Sequence, residues 1–209
     1  MTACGRESRI RPLALFLGGL LLCGTLQAAD HYENVKIEPK TSVNFRFYDL
    51  DAATPAQLTS SILRQAPVGQ QGRRAVGRAI YKVDWQLDTS QRKGACYLYG
   101  VKVKTQVDVL VPNWLQLSKL NADAQERWNG FLGSMLEYEA WHKDLVLSAS
   151  ERIGQGIAEL PKEASCQLLR QQADALGRQE LDDARQQVRR YQKETANGKH
   201  LGMSLPTGL

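Results

Sequence analysis

Three features are missing from this 209-residue sequence, and each absence excludes a class of protein or site. The N-terminal apolar run, residues 13–22, has about ten residues, whereas a membrane-spanning helix needs about twenty. The charges are interspersed and the net charge is only +5, so the dense basic patch of a nucleic-acid-binding protein is lacking. The cysteines include no Cys-x-x-Cys pair. We therefore expect no nucleic acid as a partner and no cysteine-ligated metal.

The first 29 residues have the pattern of a secretory signal peptide. Residues 6–11 carry three arginines, the apolar run follows, and small residues end the segment at residues 27–29. We predict that residues 1–29 are removed and that the mature protein is periplasmic or secreted, without a stable membrane anchor. Removal of three arginines and one glutamate lowers the net charge from +5 to +3. An uncleaved membrane anchor is the alternative.

Cysteine usage fits an exported protein. Cys4 and Cys23 lie in the predicted signal peptide, and lipid attachment at Cys23 is disfavoured because Leu22 precedes it in place of a small residue. Cys96 and Cys166 remain, and two cysteines in an exported chain predict one disulfide. Because the bond would close a long loop, it would stabilise the fold by about 3–5 kcal/mol on the entropic model. Two separate buried thiols are the alternative.

Alternating apolar and polar residues predict three strands. The first, residues 43–48, should bury the face that carries Val43, Phe45 and Phe47. Residues 78–87 and 97–111 alternate in the same way, and residues 89–94 between them have the composition of a turn. These two segments therefore predict an antiparallel hairpin with one dry face.

A short helix is expected between the first strand and the hairpin. Thr54 can cap its start and Pro55 suits its first turn. Leu58, Ile62 and Leu63 would form its apolar side.

The C-terminal half predicts two long helices. The first begins near residues 122–126 and is closed by residues 160–161, and the second covers residues 163–195. The predicted fold class is α+β, a small antiparallel β-sheet followed by two long antiparallel packed helices. We expect residues 30–198 to form a single domain and residues 199–209 to form a flexible C-terminal tail.

Polar residues interrupt the apolar face of the first long helix. Seven apolar residues fall on one arc when successive residues are placed about 100° apart. They are Trp128, Phe131, Leu132, Met135, Val146, Ala149 and Ile153. Tyr138, Glu139 and His142 fall on the same arc. Burying these groups unpaired is costly, so they must satisfy each other, bind something or line a cavity.

Glu139 and His142 form the second half of a His-Glu-x-x-His zinc-protease motif. In that motif two histidines one helical turn apart bind zinc, and the glutamate activates the metal-bound water. Tyr138 stands at the position of the first histidine. A structural Glu–His pair in the core is the simpler interpretation of the tetrad alone. A helical di-iron site is excluded, because it needs a second Glu-x-x-His on another helix.

The chain resembles the domain-of-unknown-function 922 family, bacterial exported proteins described as predicted secreted zinc-dependent proteases. The resemblance covers nearly all of residues 30–198 and rests on the order and spacing of several motifs. These are residues 81–85 (YKVDW), Cys96, Trp128, residues 138–144 (YEAWHKD), Leu160-Pro161 followed by Cys166, and Tyr191 with residues 195–198 (TANG).

The resemblance implies a zinc-protease-like domain with His142 as a zinc ligand and Glu139 as the general base. The family's other two histidine positions correspond to Tyr138 and Asn197, which depart from the pattern. His200, three residues after Asn197, could substitute. A catalytic zinc site usually has three protein ligands and an open position. The departures therefore imply impaired or absent catalysis.

Three functions remain open at this point. The first is a non-catalytic relative that binds an unidentified protein or peptide, with Tyr138, Glu139, His142 and Asn197 in a hydrogen-bonded cluster without zinc. The second is an active zinc metallopeptidase with an altered ligand set. That set would be His142 and Glu139, supplemented by Tyr138 and His200. The third is an unrelated exported binding or structural protein.

Overall fold

The computed structural model describes residues 34–68, 72 and 74–205. The predicted signal peptide, residues 1–29, lies outside the described residues. In this part of the chain three strands precede two long helices, so the predicted α+β class is confirmed. The strands are β1 (Lys36–Leu50), β2 (Arg78–Arg92) and β3 (Ala95–Trp114). The helices are α1 (Leu58–Gln65), α2 (Ala122–Ala158) and α3 (Cys166–Glu194), with 3₁₀ turns at Pro55–Gln57, Leu117–Lys119 and Lys199–Leu201.

The predicted hairpin is confirmed as β2 and β3, which pair antiparallel from Arg78 opposite Leu110 to Arg92 opposite Ala95. Lys93 and Gly94 join the strands, both with positive φ, at 48° and 78°. Two consecutive residues with positive φ are typical of the tight hairpin turn whose twist matches that of the strands. The buried face of β3 carries five valines together with Thr105.

The sheet is mixed, which corrects the prediction of an antiparallel sheet. The strand order is β1-β3-β2, and β1 runs parallel to β3 from Lys36 opposite Gly100 to Leu50 opposite Trp114. Alternation along β1 indicates a strand but contains no information about its partner or its direction. Because α1 and β2 lie between β1 and β3 in the chain, no tight turn specifies their pairing.

The prediction that β1 buries Val43, Phe45 and Phe47 was wrong. These side chains are 37%, 56% and 68% exposed. The strand lies at the edge of the sheet, and the burial pattern shows that the helices cover β3 while leaving most of β1 open. Apolar alternation at an edge strand therefore did not indicate burial.

The short helix forms with a different start and a narrower apolar side than predicted. Thr54 makes no capping hydrogen bond with its side chain within the described chain. Leu58 and Ile62 are buried, but Leu63 is 65% exposed. Leu58 and Ile62 lie one helical turn apart on one face of α1, whereas Leu63 follows Ile62 by about 100° around the helix and so lies off that face.

The two long helices begin at side-chain caps and pack against the sheet and each other. Asn121 accepts a hydrogen bond from the backbone N–H of Ala124, and Ser165 accepts one from Leu168. Close packing requires glycine in α3, because a Cβ at Gly177 would lie 2.5 Å from the ring of Trp85.

A disulfide joins Cys96 to Cys166, which confirms the predicted bond. It ties the start of β3 to the start of α3, and the backbone groups of Cys96 and Glu163 pair beside it at 2.7 and 3.2 Å. Such a bond is consistent with an extracellular, oxidising location. None of the helices in the described residues is both long and apolar enough to cross a membrane.

The segment after α3 turns back onto the fold. Ala196, Asn197 and Gly198 have positive φ values of 49°, 55° and 84°, which redirect the chain. Of the predicted tail, residues 199–205 are described, and Met203 and Leu205 pack against the core.

Candidate functional site

A cleft of about 790 Å³ is bordered by three segments of the fold. The first is residues 74–81, which lead into β2. The second is the turn of α2 that carries Tyr138, Glu139 and His142, and the third runs from Arg185 on α3 to Asn197 and Met203. The cleft therefore contains the polar residues that interrupt the apolar face of α2.

These three polar side chains are buried, as the helical periodicity predicted. Tyr138, Glu139 and His142 are 5%, 5% and 8% exposed. They follow Met135 and precede Val146 along the buried face of α2. The helix therefore places a phenol, a carboxyl group and an imidazole at the edge of the core.

His142 is oriented by a backbone hydrogen bond. Its Nδ1–H donates to the carbonyl oxygen of Tyr138 at 2.9 Å, and the Glu139 carboxylate lies 3.7 Å from the same nitrogen. The carbonyl can only accept, so the proton belongs on Nδ1 and the longer contact is a weaker electrostatic one. Burial lowers the pKa of His142, although the bond to Tyr138 opposes that shift. The neutral ring therefore presents the lone pair of Nε2, which has no hydrogen-bond partner among the described residues.

The Glu139 carboxyl group is held close to the backbone that enters β2. Burial raises its pKa to about 7, while the backbone N–H of Ala79 and the charge of Arg78 act in the opposite direction. Gly77 allows this approach, because a Cβ there would lie 2.6 Å from the sulfur of Met135 and 3.3 Å from Glu139 Oε1. Glu139 can therefore exchange a proton near neutral pH.

Tyr138 belongs to an aromatic cluster, which we define as Tyr138, Trp141, His142 and Tyr191. Tyr191 stacks on Trp141 at 3.8 Å between ring centroids and on Tyr138 at 5.4 Å. Burial, followed by the charge of Glu139, raises the pKa of Tyr138 to about 12. The Tyr138 hydroxyl also interacts with the side chains of Gln192 and Thr195. The phenol is therefore neutral and bound into the packing between α2 and α3.

Asn197 and His200 occupy different places relative to the cleft. Asn197 lines the cleft, but this residue is exposed to solvent, and its backbone has a φ of 55°. His200 is exposed outside the cleft, and its Nδ1 lies 2.9 Å from the carbonyl oxygen of Glu194. Within residues 34–68, 72 and 74–205, no three histidine, cysteine, aspartate or glutamate side chains come together as a metal-binding group.

Sequence reasoning missed the arginines of the cleft. Arg74 and Arg78 line it from the segment before β2, and Arg185 and Arg189 line it from α3. Each pair is four residues apart, and on a helix that spacing puts two side chains on one face. This spacing can be found in the sequence of α3, but acidic residues are interspersed with the arginines there, and such alternation in sign is typical of a solvent-exposed helix face.

The chain matches a protein-family model. A model described as "Bacterial protein of unknown function (DUF922)" matches residues 45–200. Comparisons with curated proteins and with solved structures found no match. The matched range includes β2, β3, the helices α1, α2 and α3, and every described residue that lines the cleft except Met203. The chain therefore belongs to the DUF922 family.

Proposed function

We propose that this protein is an exported member of its family, periplasmic or secreted, that binds a protein or peptide segment in the cleft without hydrolysing it. The observation that carries the proposal is Tyr138, at the position where a His-Glu-x-x-His helix has its first histidine. A phenol can ligate zinc only as a phenolate. Because the pKa of Tyr138 is raised to about 12, that form is scarce at neutral pH.

The remaining donors do not fit a catalytic zinc ion. Such a site usually has three protein ligands and one open position. The cleft offers Nε2 of His142 and the carboxyl group of Glu139, and the motif reserves that glutamate for activating water. Asn197 contributes an amide, which is a poor zinc ligand, and His200 lies outside the cleft. This donor set supports a cleft that works without the metal.

The Thr195 hydroxyl is satisfied by protein partners and lies beside the Tyr138 hydroxyl. The Tyr138 hydroxyl interacts with Gln192 and Thr195, and the Thr195 hydroxyl donates to the carbonyl oxygen of Tyr191 at 2.7 Å. The same hydroxyl accepts the backbone N–H of Gly198 at 3.1 Å. A network of this kind stabilises the packing of α3 on α2 and supports a rigid binding cleft.

One observation favours a second candidate, an active zinc peptidase with an altered ligand set. Histidine ligands in metal sites usually donate their other ring N–H to a backbone carbonyl or a carboxylate. His142 does so through Nδ1, which leaves the Nε2 lone pair available. If zinc bound there, it would act as a Lewis acid on a peptide carbonyl.

Restoring the missing histidines tests the first proposal. The double variant Tyr138→His with Asn197→His should bind about one zinc ion per chain, measured by mass spectrometry after dialysis, because it completes a three-ligand set. A matched control adds two histidines elsewhere, Glu137→His with Lys199→His, and should gain none. A double variant that also binds no zinc would contradict the alignment of Asn197 with a ligand position.

Hydrolysis separates the two candidates. The unmodified mature protein, dialysed against zinc, should leave a mixed peptide library intact when the products are examined by mass spectrometry. Cleavage that disappears in Glu139→Gln would overturn the non-catalytic proposal and support the altered peptidase.

A further inference from the structure

The cleft has a strong imbalance of charge. Among the described residues that line it, four are arginines and one, Glu139, is a carboxylic acid. The arginines come from two separate segments that border one space, and like charges in one space repel each other. An arrangement with this cost points to an anionic ligand that lies among the guanidinium groups.

On α3, Arg185 and Arg189 face the cleft one helical turn apart. Arg185 donates to Asp182 at 2.5 Å, a surface pair with both side chains more than half exposed. Arg189 is exposed and has no acidic partner in the described part of the chain. The cationic side of α3 is thus only partly neutralised within the protein.

On the other segment, Arg74 and Arg78 are hydrogen-bonded to neutral carbonyl groups, and the acidic group near Arg78 is Glu139, whose pKa burial raises to about 7. Arg74 donates to the carbonyl oxygen of Ala66, and Arg78 donates to that of Val68 at 3.2 Å. A carbonyl oxygen orients a guanidinium group without cancelling its charge. A guanidinium presents five N–H donors in a fixed fork, so each arginine still has donors for a carboxylate.

One residue that lines the cleft has a buried nitrogen without a hydrogen-bond donor beside it. Nε2 of His142 is a buried acceptor without a partner among the described residues. Leaving such an acceptor unsatisfied is unfavourable, so a ligand that supplies an N–H recovers this free energy. A backbone amide of a polypeptide carries this donor close to its side-chain groups.

We propose that the ligand is an acidic polypeptide segment, with carboxylates between the two arginine pairs and one backbone N–H donated to Nε2 of His142. This inference rests on the proposed binding function and adds the chemistry of the partner. Arginine is suited to the task because it binds carboxylates through two parallel hydrogen bonds.

Fluorescence anisotropy with labelled peptides tests the charge requirement. The probe is a short peptide of alternating glutamate and alanine, compared with glutamine–alanine and lysine–alanine peptides of equal length. The acidic probe should bind the mature protein at least about tenfold more tightly than either. Raising the salt concentration from about 50 to about 500 mM should weaken binding by about fivefold or more. Equal binding of the three peptides would overturn the proposal.

Matched arginine variants test the location. Arg189→Gln and Arg74→Gln should each weaken binding of the acidic probe by about threefold, and together by about tenfold. Arg190→Gln is the control, because Arg190 is exposed on the same helix but lies outside the cleft. An equal loss in the control would overturn the assignment to the cleft. Circular dichroism checks that each variant is folded.

A modified probe tests the N–H donor. An acidic peptide with N-methylated backbone amides keeps its carboxylates but cannot donate, and it should bind about tenfold more weakly. Unchanged affinity would overturn the contact with His142. Inorganic phosphate that competes as tightly as the peptide would overturn the polypeptide part of the proposal.

These readouts are independent of zinc. If the acidic peptide does not bind while zinc content stays below stoichiometric, the ligand inference fails and the non-catalytic function stands. If stoichiometric zinc is found and the arginine-dependent binding is also found, the non-catalytic function fails and the acidic ligand stands.

Discussion

The buried Glu139 carboxyl group makes the stability of this protein depend on pH in a specific window. The substitution Glu139→Gln removes the titrating group while keeping its shape and an oxygen that accepts from Ala79. Burial raises the pKa of Glu139 from 4.5 to about 7. At about 1.4 kcal/mol for each pH unit, this difference corresponds to about 3 kcal/mol of free energy of unfolding.

The direction in which stability changes with pH follows from the number of protons that the folded and unfolded states bind. Between pH 4.5 and about 7 the folded protein holds a proton on Glu139 that the unfolded chain releases. Stability from this group is therefore present below pH 4.5 and is lost as the pH rises through about 7. The pKa of His142 is lowered, so His142 destabilises the fold at acid pH instead. His142 is present in both proteins, so the effect of its burial cancels when they are compared, and only its 3.7 Å contact with the Glu139 carboxylate differs between them.

Urea unfolding followed by tryptophan fluorescence measures the effect. From about pH 4 to about pH 8, the stability of Glu139→Gln should rise relative to the unmodified protein by about 3 kcal/mol. Glu137→Gln is the control, because Glu137 is an exposed carboxylate on the same helix. Parallel stability profiles for Glu139→Gln and the unmodified protein would refute the buried, proton-holding carboxyl group.

Three further predictions concern the fold. Cys166→Ser breaks the disulfide and should lower the free energy of unfolding by about 2–5 kcal/mol in calorimetry. Cys96→Ser should lower it at least as much, because it breaks the same bond and also places a hydroxyl at a fully buried position. A loss below about 1 kcal/mol would contradict a stabilising disulfide. Gly177→Ala should lower the free energy of unfolding, measured with urea, by at least about 1 kcal/mol, because the added methyl group would contact the ring of Trp85. Gly130→Ala should leave it unchanged or raise it, because a Cβ there has open space around it in the described structure. Phe47→Ser should change the free energy of unfolding by less than about 1 kcal/mol, because Phe47 is 68% exposed. Val111→Ala, at the buried position opposite Phe47 in β3, should lower it by about 1–3 kcal/mol. Equal losses in the two variants would contradict the exposure of β1 at the edge of the sheet.

The elements that local patterns predicted are those whose determinants lie within a few residues. The hairpin follows from alternation on both sides of Lys93 and Gly94, and the long helices follow from apolar periodicity. The capping side chains of Asn121 and Ser165 were found only in the structure. The burial of Glu139 also followed from periodicity, since a helix face repeats regularly.

What local patterns did not predict depends on how distant segments meet. The parallel pairing of β1 with β3 and the exposure of Phe45 depend on which strand lies at the edge of the sheet. The cationic cleft brings Arg74 next to the segment of Arg189, more than a hundred residues later in the chain. In the sequence, the arginines of each segment are typical of an ordinary solvent-exposed surface. Only the fold brings the two segments together around His142.

A zinc titration of the mature protein tests the central claim most directly. Isothermal calorimetry at neutral pH should detect no stoichiometric zinc binding at micromolar concentrations, because Tyr138 and Asn197 replace two ligand positions. Tight binding of one zinc ion per chain, abolished by His142→Ala, would contradict the account.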